Sequence, residues 1–236
     1  MIDFGIIAAG DGNRIRQEGS FLPKPLVDIE GEPMIGRLVK IMEKAGAASI
    51  NVIVNSSMPE VIGYLEFLGE TLKCRLRISD RRTPSSMHTM YELLKLMEPS
   101  GKFIVTTVDT IFRKDDFNAY VESFRKSGEG IDGMMGATYY IDDEKPLYMS
   151  VDEDMRITGY LDRPFEGVKY VSAGIYGLSK KALPVLEECV ELGVTKMRNF
   201  QRKLVEEGFY LKAFNLGKVI DVDHIGDIDK ANKFLA

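Results

Sequence analysis

The sequence predicts an α/β fold in which a mostly parallel sheet carries helices on both faces. Short apolar runs alternate along the chain with longer segments whose apolar residues recur at helical spacing. Strand–helix–strand repetition of this kind is typical of parallel sheets covered on both sides. The 236 residues are 44% hydrophobic and 28% charged, which excludes disordered, collagen-like and coiled-coil chains. We therefore expect one domain over 1–236.

The front half of the chain contains the parallel-sheet pattern. Strands are predicted over Asp3–Ala9, Ser49–Val54, Cys74–Ile78 and Lys102–Val108. Helices are predicted over Pro33–Ala45, from Pro59 to about Leu68, over Met87–Met97 and from near Lys114. The first of these helices has the clearest boundaries, because Pro33 stands at its first turn and Gly46 just after its end.

The rhythm changes after Gly128, where predicted strands follow one another directly. These strands are Met134–Ile141, Tyr148–Val151, Arg156–Leu161, Tyr170–Gly177 and Tyr210–Asn215. Helical spacing returns over Lys180–Cys189, Lys196–Glu207 and Asp227–Leu235. An acidic turn at 152–154 separates two of the strands and predicts a hairpin. We therefore expect the second half to form a small antiparallel lobe that faces the substrate.

Charge and apolar runs exclude several classes of partner. There are 31 basic and 36 acidic residues, so the net charge of −5 leaves no basic excess for binding nucleic acid. The apolar runs are too short for a membrane span, and the chain carries no leader pattern. Cys74 and Cys189 lie far apart and predict reduced thiols in a cytoplasmic protein. The partners expected are small molecules, and a homo-oligomer is left open.

A glycine loop, Ala8-Ala9-Gly10-Asp11-Gly12-Asn13-Arg14, follows the first predicted strand. Ligands of α/β folds bind at the carboxyl ends of strands, and glycines let backbone N–H groups approach a phosphate. The loop is not a Walker A motif, because no Gly-Lys-Ser/Thr follows. It is not a dinucleotide fingerprint either, because Ile15 replaces the third glycine. Alone, the pattern is a weak signal and is more typical of a plain tight turn.

A lysine between two prolines strengthens the interpretation of this loop. The segment Pro23-Lys24-Pro25-Leu26-Val27 predicts a stiff, extended backbone around Lys24. With the glycine loop and with Gly31-Glu32-Pro33-Met34-Ile35, it resembles the opening of the sugar-phosphate nucleotidyltransferases, the nucleoside-diphosphate-sugar pyrophosphorylases. The choline-phosphate cytidylyltransferases share this opening. Asn13 departs from the Thr or Ser usual there. The resemblance implies a Rossmann-like fold of the GT-A type.

The resemblance also implies roles for individual residues. Arg14 and Lys24 would hold the phosphates and act in catalysis. The nucleotide would lie on Ala8, Ala9, Gly10, Gly12 and Ser86. Ser86 matches a hydroxyl position in the segment Thr83-Pro84-Ser85-Ser86-Met87, although Ser85 or Ser86 could equally be the N-cap of the following helix.

Acidic residues after two strands predict a magnesium site. Nucleotidyl transfer needs the α-phosphate neutralised, and Mg²⁺ held by one or two carboxylates does this. Asp109 follows a buried strand, and we favour a metal ligand there over a helix cap. The resemblance to the sugar-nucleotide members implies Asp221 as the second ligand, and the resemblance to the cytidylyl members, which use the later aspartate, implies Asp223 as the alternative. Asp227 is interpreted as a first-turn carboxylate of the last helix and His224 as a turn residue.

The acceptor site is predicted from two further matches. Leu161-Asp162-Arg163-Pro164 resembles the family's Glu-Lys-Pro, and Tyr170–Tyr176 resembles its Val-Asn-Ala-Gly-Ile-Tyr strand. Asp162, Arg163 and Ser172 are therefore expected to bind the acceptor. Because Asp is shorter than Glu and Arg is forked where Lys is a point charge, the pocket is expected to differ from the family's.

The sequence therefore predicts an Mg²⁺-dependent nucleotidyltransferase. It would join a nucleoside monophosphate from an NTP to a phosphorylated acceptor, with a sugar 1-phosphate ahead of phosphocholine or another alcohol phosphate, and release pyrophosphate. Two rivals belong to other classes. Asp221-Val222-Asp223 is an Asp-x-Asp triplet and would suit a glycosyltransferase of similar architecture. A non-catalytic nucleotide sensor would retain the fold without turnover.

Overall fold

The computed structural model describes residues 2–142 and 144–236, which contain eight helices and thirteen strands. The strands are β1 Asp3–Ala8, β2 Asp28–Ile29, β3 Glu32–Pro33, β4 Ser49–Val54, β5 Arg75–Asp80, β6 Lys102–Thr107, β7 Thr110–Ile111, β8 Gly133–Thr138, β9 Tyr148–Val151, β10 Ile157–Leu161, β11 Tyr170–Ser179, β12 Leu211–Asn215 and β13 Ile220–Asp221. The helices are α1 Asn13–Gln17, α2 Met34–Lys44, α3 Pro59–Gly69, α4 Ser86–Met97, α5 Lys114–Lys126, α6 Ala182–Glu191, α7 Met197–Glu206 and α8 Ile225–Leu235.

One nine-stranded mixed sheet forms the centre of the molecule. Its main path runs β10-β9-β11-β6-β1-β4-β5, and β8 pairs with β11 and β12. The strands β6, β1, β4 and β5 are parallel, whereas β11 runs antiparallel to β6, β8 and β9. The predicted α/β fold, of Rossmann-like type with a mixed and mostly parallel sheet, is confirmed. The antiparallel strands expected in a separate lobe instead continue this sheet.

Helices cover both faces of the sheet, and the side chains of β1 point alternately into the two cores that result. Phe4, Ile6 and Ala8 belong to the core beneath α2, α3 and α5. Ile7 and Ala9 belong to the core beneath α4, α6 and α7. A smaller apolar cluster, which includes Ile15, Ile111 and Ala231, joins α1, β7 and α8 beside the carboxyl ends of the parallel strands. These three clusters fix the loops at that edge of the sheet.

The structure corrects two local predictions. Lys24 was expected on an extended segment, but Lys24–Leu26 forms a 3₁₀ turn, which the proline at its second position tolerates. The last helix begins at Ile225, two residues before the predicted start, because His224 is its N-cap. Cys74 and Cys189 are free thiols, as predicted. Across 2–142 and 144–236, we find no helix with the length and apolar character needed to cross a membrane.

Candidate active site

The glycine loop lies at the carboxyl end of β1, where the sequence placed it. Gly12 has φ 61° and ψ 29°, a left-handed conformation that glycine adopts without cost, and α1 begins at the next residue. A Cβ at Gly12 would lie 2.8 Å from the Cβ of Lys24, which is closer than two such carbons can pack. Glycine is therefore required at position 12 by both the backbone and its neighbour. Ala8, Ala9 and Gly10 also belong to the loop. Like Gly12, they line a cleft at this edge of the sheet.

Gly12→Ala is expected to destabilise the protein by about 1–3 kcal/mol, because it forces a left-handed alanine against the stem of Lys24. Thermal unfolding measures this change. Gly10→Ala is the control for stability, since a Cβ there meets nothing within 4 Å. Equal melting temperatures for the two variants would contradict the steric account.

Asn55, which sequence analysis missed, ties the glycine loop to the neighbouring strand. It follows β4 and is buried. Its Nδ2 donates to the Ala9 carbonyl oxygen at 3.1 Å and to Asp11 Oδ1 at 2.9 Å. Its Oδ1 accepts bonds from the backbone and hydroxyl of Ser57. A polar residue directly after a buried parallel strand was the available signal.

Lys24 joins two carboxylates at the floor of the site. Its Nζ lies 2.6 Å from Asp109 Oδ2 and 2.7 Å from Asp223 Oδ1, and its side chain is 12% exposed. Arg14 reaches the other oxygen of Asp223, with 2.9 Å between Nη1 and Oδ2. These four residues come from three parts of the sequence and form one charged cluster, which we call the Lys24 cluster. Its members are Arg14, Lys24, Asp109 and Asp223.

Backbone pairing brings the two carboxylates of the Lys24 cluster together. Asp109 follows β6, whose neighbour in the sheet is β1. The short strands β7 and β13 are antiparallel, and the Val222 N–H donates to the Asp109 carbonyl oxygen at 3.1 Å. This register places Val222 opposite Asp109, and Asp223 is the next residue along the chain. The N-cap of α5 is Arg113, so Asp109 does not cap that helix.

Asp221 and Asp223 both line two cavities beside the Lys24 cluster, but their side chains have different hydrogen-bond partners. Asp221 Oδ1 accepts a hydrogen bond from Thr110 Oγ1 at 3.1 Å. Asp223, the alternative in the sequence prediction, is the one that shares Lys24 with Asp109. The geometry therefore favours Asp223 as the second ligand.

Electrostatics keeps Lys24 and Asp109 ionised. Burial opposes the charge on Lys24, but Asp109 and Asp223 outweigh it and raise the pKa of the ammonium. Burial likewise opposes the charge on Asp109, yet the Lys24 charge and hydrogen bond lower the pKa of that carboxyl. The site therefore presents the Lys24 ammonium and the Asp109 carboxylate across the neutral pH range.

The donor set of the Lys24 cluster fits magnesium. Asp109 and Asp223 direct hard oxygen donors at one point that already stabilises a positive charge. Among the described residues, no group of three or more His, Cys, Asp or Glu side chains is arranged to hold a metal. Mg²⁺ is commonly held by one or two carboxylates and completed by substrate phosphates and water. The two carboxylates of the Lys24 cluster, which lie beside the glycine loop, meet the protein's part of that requirement.

The cleft above the Lys24 cluster has a volume of about 430 Å³. The glycine loop forms one wall, and the segment that begins α4 forms another. Ser86 is the first residue of α4 and lines the cleft. Ser85 occupies the N-cap position, and its Oγ lies 2.9 Å from His88 Nδ1. Ser86 is thus placed for a ligand, and the capping position belongs to Ser85.

The predicted acceptor residues separate in the structure. Ser172, on β11, lines a second cavity next to the cleft, and its Oγ donates to Gln201 Oε1 at 3.1 Å. Asp162 instead forms ion pairs with Arg198 at 2.5 Å and Arg202 at 2.7 Å. Arg163 is exposed and lines neither the cleft nor the second cavity. Asp162 and Arg163, which are expected from the sequence to bind the acceptor, therefore line neither the cleft nor the second cavity.

A contact between α1 and α8 closes the outer side of the site. Glu18 accepts bonds from His224 Nδ1 and from the Ile225 backbone N–H, and the bond from His224 lowers the pKa of Glu18. Asp227 accepts from the His224 backbone N–H at 2.9 Å, which completes a capping box and confirms its predicted first-turn position. His224 is therefore a helix cap that joins two elements of the site.

Comparison with known proteins finds a matching family model, curated relatives and solved structures of the same fold. Residues 5–205 match the family model described as "MobA-like NTP transferase domain". A mannose-1-phosphate guanyltransferase of Aspergillus fumigatus is 28% identical over 189 residues, which are 77% of this chain and 50% of that protein. The chain spans about half the length of the curated relatives it matches.

Two solved structures share the fold. The inositol-1-phosphate CTP transferase from T. maritima is 18% identical with a TM-score of 0.78, and the match covers 100% of this chain and 98% of that one. The UDP-glucose pyrophosphorylase from Acinetobacter baumanii is 16% identical with a TM-score of 0.79, covering 98% and 92% respectively. The chain thus shares its architecture with these two structures.

Proposed function

The chain belongs to the MobA-like NTP transferase family, and from that premise we propose that it joins a nucleoside monophosphate to a phosphorylated acceptor and releases pyrophosphate. A sugar 1-phosphate is the leading acceptor class, because the matched curated relatives include mannose-1-phosphate guanylyltransferases. The observation that carries the proposal is the position of the Lys24 cluster below the glycine loop. We also propose that the enzyme is cytoplasmic and that its substrates are small molecules.

The residues of the site would act mainly by positioning and charge. The N–H groups of the glycine loop and the side chains of Arg14 and Lys24 would hold the NTP phosphates. An oxygen of the acceptor phosphate attacks the α-phosphorus in line. The bond from that phosphorus to the bridging oxygen of the β-phosphate breaks, and pyrophosphate leaves with the electron pair. The reaction requires no nucleophilic side chain.

Asp109 and Asp223 would hold Mg²⁺ in this proposal. The chemistry that the bound ion supplies is neutralisation of phosphate charge. Lys24 adds a fixed ammonium to the same region, where it would oppose charge that develops at the α-phosphate. Because its own charge is secured by two carboxylates, Lys24 would remain a cation throughout the reaction.

A second acceptor class is supported by the position of Asp223. The cytidylyltransferases that the sequence also resembles use the later aspartate, and Asp223 is the one in the Lys24 cluster. One of the proteins that share the fold is an inositol-1-phosphate CTP transferase. Cytidylyl transfer to a small alcohol phosphate is therefore the second candidate function.

Pyrophosphate release over four NTPs and a panel of acceptors tests the proposal. We expect release with one NTP and with mannose 1-phosphate or glucose 1-phosphate, and its loss in EDTA. Release with CTP and inositol 1-phosphate or phosphocholine would select the second candidate. Consumption of a sugar nucleotide without pyrophosphate would support the glycosyltransferase, and nucleotide binding without turnover would support the sensor.

A further inference from the structure

A second cavity of about 380 Å³ adjoins the nucleotide cleft. The two spaces share Ser86, Thr107, Asp109 and Asp223, so a molecule in the second cavity would lie against the reacting end of a nucleotide in the first. Away from this shared wall, the charged residues that line the second cavity are three cations and one carboxylate, Asp221, which lies beside Asp223 and bonds to Thr110. The cations are Lys145, Lys196 and Arg198.

The three cations come from two segments that fold together. Lys145 precedes β9, while Lys196 and Arg198 lie at the start of α7. Arg198 Nη2 donates to the Lys145 carbonyl oxygen at 2.8 Å, which joins the two segments. Lys196 has φ 72° and ψ 134°, a conformation that residues with a Cβ rarely adopt. Glycine would adopt this backbone more easily than lysine.

Asp162 fixes the direction of Arg198 from outside the cavity. Its Oδ1 pairs with Arg198 Nη1 at 2.5 Å, and its Oδ2 pairs with Arg202 Nη2 at 2.7 Å. These two pairs lower the pKa of the Asp162 carboxyl, so it remains charged. Arg202 also donates to the Tyr160 carbonyl oxygen and does not line the second cavity.

The charges explain what this cavity would bind. Two anionic reactants must meet at Asp109, and the repulsion between an NTP and a phosphate monoester has to be offset. Lys24 and Arg14 form ion pairs with Asp109 and Asp223 on the shared wall, and they line the nucleotide cleft but not the second cavity. A group of cations on the opposite wall would offset the second negative charge.

We propose that Lys145, Lys196 and Arg198 bind the phosphate of the acceptor, and that Asp162 is a positioning residue that acts through Arg198. The inference rests on the proposed function and names the part of the site that receives the acceptor. It replaces Arg163, the residue expected from the family pattern, with cations from α7 and the segment before β9.

Binding experiments with Arg198→Ala and Arg202→Ala test this assignment. Both variants remove one ion pair to Asp162, but Arg198 alone of the two lines the cavity. We expect Arg198→Ala to raise the Kd for mannose 1-phosphate or inositol 1-phosphate about tenfold or more, as expected for loss of a charged hydrogen bond. The Kd for the NTP should stay within about twofold. Arg202→Ala should leave both constants near those of the wild type.

A second pair of variants keeps the test independent of misfolding. Lys196→Gly removes the cation at a position whose backbone suits glycine, so the protein should remain folded while acceptor affinity falls. Asp162→Asn should raise the acceptor KM with little change in kcat, and it should add little to Arg198→Ala in a double-mutant cycle. Asp162→Glu should recover part of the loss.

Isothermal titration with inorganic phosphate, mannose 1-phosphate and inositol 1-phosphate gives the decisive values. Wild-type binding in Arg198→Ala and Lys196→Gly, loss of binding in Arg163→Ala instead, or failure of all three probes to bind the wild type would overturn the inference. Because titration measures binding without turnover, phosphate binding that depends on Arg198 could persist in a protein that releases no pyrophosphate. That result would reject the proposed function and retain the anion site.

Discussion

Lys24→Ala is expected to lower kcat/KM by about 10²- to 10³-fold, which is the scale of losing one preorganised electrostatic contact to a transition state. The ammonium is mostly buried, is held by Asp109 and Asp223, and lies beneath the loop that would bind the phosphates. Its charge cannot be replaced by solvent at that depth. Steady-state kinetics with the best NTP and acceptor measures the effect.

The same substitution makes a prediction about metal binding. Without the ammonium, Asp109 loses its ion pair and Asp223 keeps only Arg14, so the two carboxylates repel one another. The variant should therefore be destabilised in EDTA and regain stability with Mg²⁺. Lys126→Ala, on the exposed face of α5, is the matched control and should show neither effect. Wild-type kcat/KM in Lys24→Ala would show that the cluster has no part in catalysis.

Asp223→Asn is expected to reduce activity far more than Asp221→Asn. The substitution keeps the size of the side chain but removes the charge that pairs with Lys24 and Arg14. If Asp223 holds Mg²⁺, the concentration of Mg²⁺ needed for half-maximal activity should rise by about tenfold or more, the effect of losing a charged ligand contact. Asp109→Asn should behave in the same way.

Asp221→Asn is the matched comparison, because Asp221 lies two residues away and bonds to Thr110. It should change the Mg²⁺ requirement much less than Asp223→Asn. The reverse order would contradict the arrangement derived from the Lys24 cluster and would restore Asp221 as the second ligand.

The parts of the site that follow a strand directly could be predicted from the sequence. The glycine loop follows β1 and Asp109 follows β6, and the neighbouring parallel strands bring both to one edge of the sheet. Each depends on a local pattern and on one rule of α/β folds. Strand alternation likewise predicted most of the sheet.

The choice between Asp221 and Asp223 could not be predicted in this way. It depends on the pairing of β7 with β13, two short strands whose residues are about 110 positions apart. The partners of Asp162 were hidden for a similar reason, because Arg198 and Arg202 lie on a helix whose orientation depends on packing. Sequence patterns report local conformation, whereas these contacts depend on tertiary structure.

The most direct test of the account is ³¹P NMR of a reaction whose acceptor carries ¹⁸O in its phosphate. The proposed attack of that phosphate on the α-phosphorus predicts one pyrophosphate for each nucleotide–acceptor product, with the label in the new diphosphate and none in the pyrophosphate. Unlabelled nucleotide product, inorganic phosphate in place of pyrophosphate, or no turnover with any NTP and acceptor would contradict it.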